Sequence, residues 1–348
     1  MVSALNNGFR FYIFTSDSDW DTTALEGIER NKWTDFNAYT QVFYADKKDR
    51  SDVLCKQIEQ IKPDVLYIIG LYDWHFNLVP LFFVKHPHTI LSVRGMLHPG
   101  ALQQKWVKKK LFLKAFRLSG KHRSIRFHAT DAQEAGYIRD VFGENSVTEI
   151  AANFPRLFMP VIRQDKPKGT LRLISIALIS PMKNHLRVLE ALKEIKQPVS
   201  YKIFGPVKDY AYWQQCLQTI GQLPDHIRVT YEHQLPPAAV LEKLREAYVA
   251  ILPSESENFG HSIIEALSAG LPVISSHSVP FQNLLENRAG LNVKPEAPDL
   301  QKALEFFIQM DKNEFAVWSE QAAKYAHPYV DTASTLLAYQ TLFGNKEV

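Results

Sequence analysis

Hydrophobic positions follow two rhythms along this chain. The short apolar runs FRFYIFT (9–15), DVLYIIG (64–70), HTILSV (88–93) and VTEIAA (147–152) have the length and composition of buried strands. Between them, apolar positions recur at helical spacing around 51–61, 100–118 and 131–141. A polar stretch with two prolines and a glycine, PVIRQDKPKGT (160–170), reads as a linker. The alternation then restarts. Strands are predicted at 171–177, 199–205, 226–231, 248–253, 271–276 and 290–293, and helices around 184–196, 209–220, 236–247, 261–269 and 299–310. One more amphipathic helix lies in the tail, 327–344. Strand–helix alternation predicts an α/β fold with parallel sheets covered on both faces.

Length agrees with a division in two, because 348 residues exceed one ordinary hydrophobic core. A hydrophobic content of 46% with 22% charge excludes a disordered chain. No run of 18 apolar residues offers a membrane span, and MVSALNNGFRF lacks the apolar core of a secretory signal. Cys55 and Cys216 stand far apart without metal-ligand spacing. A cytoplasmic protein is the expectation.

Charge is unevenly placed. Residues 101–130 hold nine of the 40 basic residues and no acid, which leaves 31 basic against 37 acidic residues elsewhere. Leu102, Trp106, Leu113 and Phe116 share one helical face there, which suits docking on the protein's own core. The segment 101–126 reads either as a solvated helix face or as a peripheral contact with an anionic membrane surface, at the inner face of the cell membrane. No nucleic-acid motif accompanies it, so no nucleic-acid partner is expected.

The chemistry concentrates in SESENFGHSIIEALSAGLPVIS (254–275). A strand before it and a strand after it put Glu257 on a loop at a sheet's C-terminal edge. Asn258, Phe259, Gly260 and His261 then lead into a helix, whose first amides form an anion site. Glu265 falls nearly opposite Ile263 on that helix and is expected outside the core. Carboxylates there suit paired hydroxyls such as those of sugars and ribose.

Glu257, Phe259-Gly260, Glu265-Ala266, Gly270 and Pro272-Val273 resemble the signature of the family-4 retaining glycosyltransferases (glycosyl transferases group 1). The resemblance implies the GT-B fold, two Rossmann-like domains facing across a cleft. These would be an acceptor-binding domain at 1–160, with the tail helix of 327–348 packing back on it, and a nucleotide-sugar domain at 161–326. It implies that Glu257 holds hydroxyls of the transferred sugar and Glu265 the ribose. The amides of Phe259 to His261 would lie against sugar and phosphate. SIALISPMKNHLRVLEAL (175–192) is similar to the strand–loop–helix whose Arg and Lys clamp the donor diphosphate; Lys183 matches the lysine, and Leu178 stands where the arginine would be. Gly205 would form the tight turn that admits the nucleotide.

LYDWHF (71–76), SVRGMLHPGALQQK (92–105) and FHATDAQE (127–134) resemble a bacterial subgroup of that family, with His75, Arg94, Gly95 and His98 on the acceptor side. Asn153-Phe154 replaces an Asn-Gly hinge. VSALNN matches the end of the family's first helix, so its first strand and Gly-rich loop are expected to be absent. Asp17-Ser18-Asp19 reads as a solvated loop rather than a metal site.

The expected activity is transfer of a sugar, with retention, from a nucleotide diphosphate sugar to a glycan or lipid-linked acceptor, as in polysaccharide or cell-envelope glycan synthesis. It would need no metal and no cofactor beyond the donor substrate. The rival reading is a non-catalytic nucleotide- or glycan-binding scaffold, favoured by Leu178 and the absent front segment.

Overall fold

The computed structural model describes residues 1–5, 8–18, 23–103, 106–161, 166–257, 259–329 and 332–344. The chain divides into two compact units, Met1–Phe154 with Thr332–Val348, and Pro155–Asp331.

The first unit holds two sheets. Strands β1 (Phe11–Ser16), β2 (Trp33–Asn37) and β3 (Thr40–Ala45) lie in the order β1-β3-β2, with β1 parallel and β2 antiparallel to β3. Strands β4 (Leu66–Ile69), β5 (Thr89–Ser92), β6 (Arg126–Ala129) and β7 (Thr148–Ile150) follow in sequence order, all parallel. All four residues of β5, TILS, are buried, so the strand shows no alternation of apolar and polar faces. The tail helix Ala333–Gly344 buries Tyr339 and Leu342 against Leu5, Ile90 and Ala151, so it belongs to this unit.

The second unit is one six-stranded parallel sheet. It comprises β8 (Leu171–Ile176), β9 (Val199–Phe204), β10 (Ile227–Tyr231), β11 (Val249–Leu252), β12 (Val273–Ser276) and β13 (Gly290–Val293). Their order, β10-β9-β8-β11-β12-β13, reverses direction between β8 and β11. Outside the carboxyl ends of such a pair the connecting loops diverge, and an open α/β sheet forms its ligand crevice there.

Some elements depart from the pattern-based expectation. The region 100–118 is two helices, Pro99–Gln103 and Trp106–Leu118. Leu113 and Phe116 enter the core as expected, but Trp106 is exposed, because it opens the second helix ahead of the first turn that packs inward. Lys166, inside the predicted linker, is buried and donates from Nζ to the carbonyl of Met310 at 2.8 Å. Burial lowers its pKa to about 8.

Candidate active site

The loops after β8 and β11 carry the polar residues of the switch point. After β8, a 3-10 turn, Pro181–Lys183, leads into helix His185–Leu192 through Asn184 in the left-handed region (φ 58°). After β11 the chain runs through Pro253 to Glu257. Three bonds tie these loops together: Glu255 N–H donates to the Met182 carbonyl at 2.9 Å, and Asn184 Nδ2 donates to the Pro253 carbonyl at 2.9 Å and to Glu255 Oε1 at 2.8 Å. The result is a direct ion pair between Lys183 Nζ and Glu257 Oε1. Ser254, fully buried, donates its hydroxyl to the same carboxylate oxygen at 2.8 Å. Ser254, Asn184 and Glu255 were not read from the sequence, since serine and asparagine in a loop ordinarily signal only a turn.

Gly260 precedes helix His261–Ser268 with φ 76° and, as the N-cap residue, supplies no side-chain cap. A β-carbon there would crowd Ile263 and Phe281, each 3.3 Å away, so backbone strain and packing both call for glycine. Ser262 fixes the helix start to the end of β8 by donating to the Ile176 carbonyl at 2.6 Å. The Phe259 ring packs on the core, edge-on to Phe281 at 6.2 Å and 4.7 Å from the His261 ring. Asn258 lies outside the described residues.

Glu265 sits one turn inside this helix and is half-buried. Burial raises its pKa above the usual carboxylate range, and the Arg156 guanidinium partly opposes that shift. Among the described residues its carboxylate makes no hydrogen bond. Such a group has acceptor capacity to offer to a ligand.

Gly205 follows β9 with φ 138°, and its α-carbon lies against the Ala177 carbonyl so closely that a side chain cannot fit. This glycine brings the ends of β8 and β9 together. Leu178, just after β8, is exposed. His185 is fully buried, neither of its ring nitrogens has a hydrogen-bond partner among the described residues, and burial beside Lys183 holds its pKa at about 3.

Arg94, Gly95, His98 and His75 belong to the first unit. Arg94 takes a left-handed conformation (φ 47°) after β5. Its guanidinium donates to Asn153 Oδ1 and, at 3.1 Å, to the Tyr67 hydroxyl. Gly95 N–H donates to the buried Glu134 carboxylate, which also accepts from Thr130 N–H at 2.7 Å. His98 accepts from Gly100 N–H at 3.1 Å, and His75 pairs its Nδ1 with the Ser51 hydroxyl at 2.7 Å. His128 is an interior residue: Nε2 bonds the Ala151 carbonyl at 2.8 Å, and Nδ1 faces the hydroxyls of Tyr67 and Ser92. Asp17 pairs with Arg30 and Arg50 at 3.1 and 3.6 Å, and Asp19 lies outside the described residues. Among the described residues, no group of three or more His, Cys, Asp or Glu is placed to hold a metal ion.

Residues 161–325 match the family model of the glycosyl transferases group 1. That match spans nearly all of the second unit and contains every donor-side residue described above. The chain is also 24% identical over 119 residues to a GDP-Man:Man(3)GlcNAc(2)-PP-Dol alpha-1,2-mannosyltransferase of Caenorhabditis elegans, covering 31% of this chain and 25% of that one. It therefore spans only a quarter of that relative's length. Among solved structures it is similar to sucrose-phosphate synthase from Thermosynechococcus elongatus, with a TM-score of 0.74 and 17% identity over 98% of this chain and 90% of that one. It is also similar to HepE from Anabaena in complex with UDP and glucose, with a TM-score of 0.66 and 16% identity over 88% and 86% of the two chains. The fold is GT-B.

Proposed function

We propose that this protein is a metal-independent retaining glycosyltransferase of a bacterial family-4 subgroup. Its donor is a nucleotide diphosphate sugar and its acceptor a glycan or lipid-linked glycan, with Arg94, Gly95, His98 and His75 on the acceptor side. It acts in the cytoplasm, in polysaccharide or cell-envelope glycan synthesis. The observation that carries the reading is the Lys183–Glu257 ion pair between two helix N-termini at the sheet's switch point, with Glu265 carried on the second of those helices. The relatives support it too: HepE was crystallised with UDP and glucose, and the Caenorhabditis protein is named for a GDP-mannose donor.

In this reading Glu265 accepts hydrogen bonds from the ribose diol, and the amides at Phe259–His261 face the phosphates, with Asn258 beside them. Gly205 lets the nucleotide approach the sheet end. Lys183 leaves its ion pair with Glu257 for the donor diphosphate. Glu257 is then released to accept from hydroxyls of the transferred sugar. As the glycosidic bond to the phosphate breaks, charge grows on the leaving diphosphate, where a prepositioned cation and helix amides lower the barrier. The leaving phosphate takes the proton of the acceptor hydroxyl that attacks on the same face, which retains the anomeric configuration.

The second reading, a binding scaffold without turnover, has one observation in its favour: Leu178 stands exposed where the resemblance places a cationic clamp. Titration with UDP, GDP, ADP and their sugars, followed by a product assay, separates the two. Binding with release of nucleoside diphosphate supports the transferase. Binding without release supports the scaffold, and no binding to any nucleotide refutes the transferase and the nucleotide-binding scaffold together.

A further inference from the structure

We infer that the outward face of the helix Trp106–Leu118, in the first unit, is a docking surface for an anionic lipid bilayer. The inward face of this helix is already satisfied: Leu113 and Phe116 are buried, and Phe112 packs beside them. At 100° per residue, Val107, Leu111 and Leu118 fall within about 40° of one another on the opposite side. They are 50%, 63% and 77% exposed. Lys114 lies within the same stripe, Lys110 and Arg117 flank it on one side, and Lys108 flanks it on the other. Among the described residues no carboxylate pairs with any of these four cations.

A merely solvated face would be polar where it meets water, and this one carries large apolar groups the fold does not use. Apolar groups among uncompensated cations match a surface that is anionic outside and hydrocarbon beneath. Trp106, 59% exposed with Lys110 Nζ 5.8 Å from its ring centre, adds a side chain suited to that boundary. A second copy of the chain is a poorer occupant, because a two-fold contact would set the same cations against each other. No described helix is long and apolar enough to cross a membrane, so the contact is peripheral.

The end of the helix opens on a cavity of about 930 Å3 lined by Lys114, Arg117, Arg123, His122 and Glu144, among others. His122 is buried there, and its Nδ1 has no hydrogen-bond partner among the described residues. The cavity carries three cationic side chains against one acid among those residues, which suits the phosphate of a lipid headgroup.

The test is flotation of the full chain with vesicles of phosphatidylcholine alone and of phosphatidylcholine with one third phosphatidylglycerol. The expected result is binding to the anionic vesicles only, weakened by salt. Lys110→Gln/Lys114→Gln/Arg117→Gln should lower partitioning by about 100-fold, at about five-fold per cation. Leu111→Ser/Leu118→Ser should abolish flotation while the thermal midpoint stays unchanged. Equal binding to both vesicle types, or unaltered flotation of both folded variants, overturns the proposal. So does a dimer in light scattering that the serine variant dissolves, which would make a second copy the occupant.

Discussion

Glu265→Gln separates recognition from folding most cleanly. Glutamine keeps the size of the side chain and the helix propensity, and removes only the charge and one acceptor oxygen. If the carboxylate holds a ribose diol, it accepts two hydrogen bonds of about 1.5–3 kcal/mol each, against about 0.5–1.5 kcal/mol for a neutral acceptor. Some interaction survives through the amide oxygen, so a net loss of about 1–3 kcal/mol is expected. That corresponds to about 5- to 150-fold weaker nucleotide binding. Stability should move the other way. Burial raises the folded-state pKa of Glu265 above its unfolded value, so at neutral pH the ionised side chain is a cost to the free protein. The glutamine variant should therefore keep or slightly raise the thermal midpoint. Calorimetric titration with the best-binding nucleotide, beside a thermal melt, reads both. Affinity of the wild type should also fall as pH drops through the raised pKa, because only the carboxylate accepts from both hydroxyls. Unchanged affinity in a folded variant would refute the ribose role, and lost affinity with a much lower midpoint would mean Glu265 is structural.

Other outcomes follow from the same site and its supports. Lys183→Met should cut kcat by about 100-fold or more with a smaller change in KM, measured by nucleoside diphosphate release, because its charge acts mainly on the leaving group. Gly205→Ala should destabilise by about 3 kcal/mol or more, read from urea midpoints, since the new methyl meets the Ala177 carbonyl in a backbone conformation alanine resists. His128 and His185 have folded-state pKa values of about 4 and 3, held down by burial, so both stay neutral while an unfolded histidine protonates near 6.5. Stability should thus be full above about pH 6.5 and fall as pH drops towards 4, by up to about 3 kcal/mol for His128 alone, as denaturant titrations at stepped pH would show.

Parallel strands buried on both faces were the most legible elements. LRLISIA, VSYKIFG and YVAILP appear within a residue or two of their predicted bounds as β8, β9 and β11. The β2–β3 hairpin, WTDFNAYTQVFYA, was not read, because the aromatics of β2, Trp33 and Phe36, stand three apart instead of two and its turn, Ala38-Tyr39, carries no glycine or proline signal. The segment Trp74–Phe83 opens as a π-helical turn and has Pro80 near the start of its α-helical part, so its apolar spacing fits no 3.6-residue template. Helix Lys312–Ala326 was missed although Asp311 and Glu314 form a capping box, a signature visible in the sequence. At the site, the resemblance to the glycosyltransferase signature singled out Glu257, Glu265 and Lys183, but pairing between loops some 70 residues apart is a property of sheet order. So the Lys183–Glu257 bond and the supporting Asn184, Ser254 and Glu255 came only from the fold.

In the proposed function the switch-point residues carry out sugar transfer rather than nucleotide binding alone. The most direct measurement is release of nucleoside diphosphate from a panel of nucleotide sugars, in EDTA, by the wild type and Glu257→Gln. The wild type should turn over at least one donor without metal, with product of retained anomeric configuration, and the variant should lose that turnover at preserved nucleotide affinity. Tight nucleotide binding with no release from any donor, or equal release by the folded variant, would contradict it.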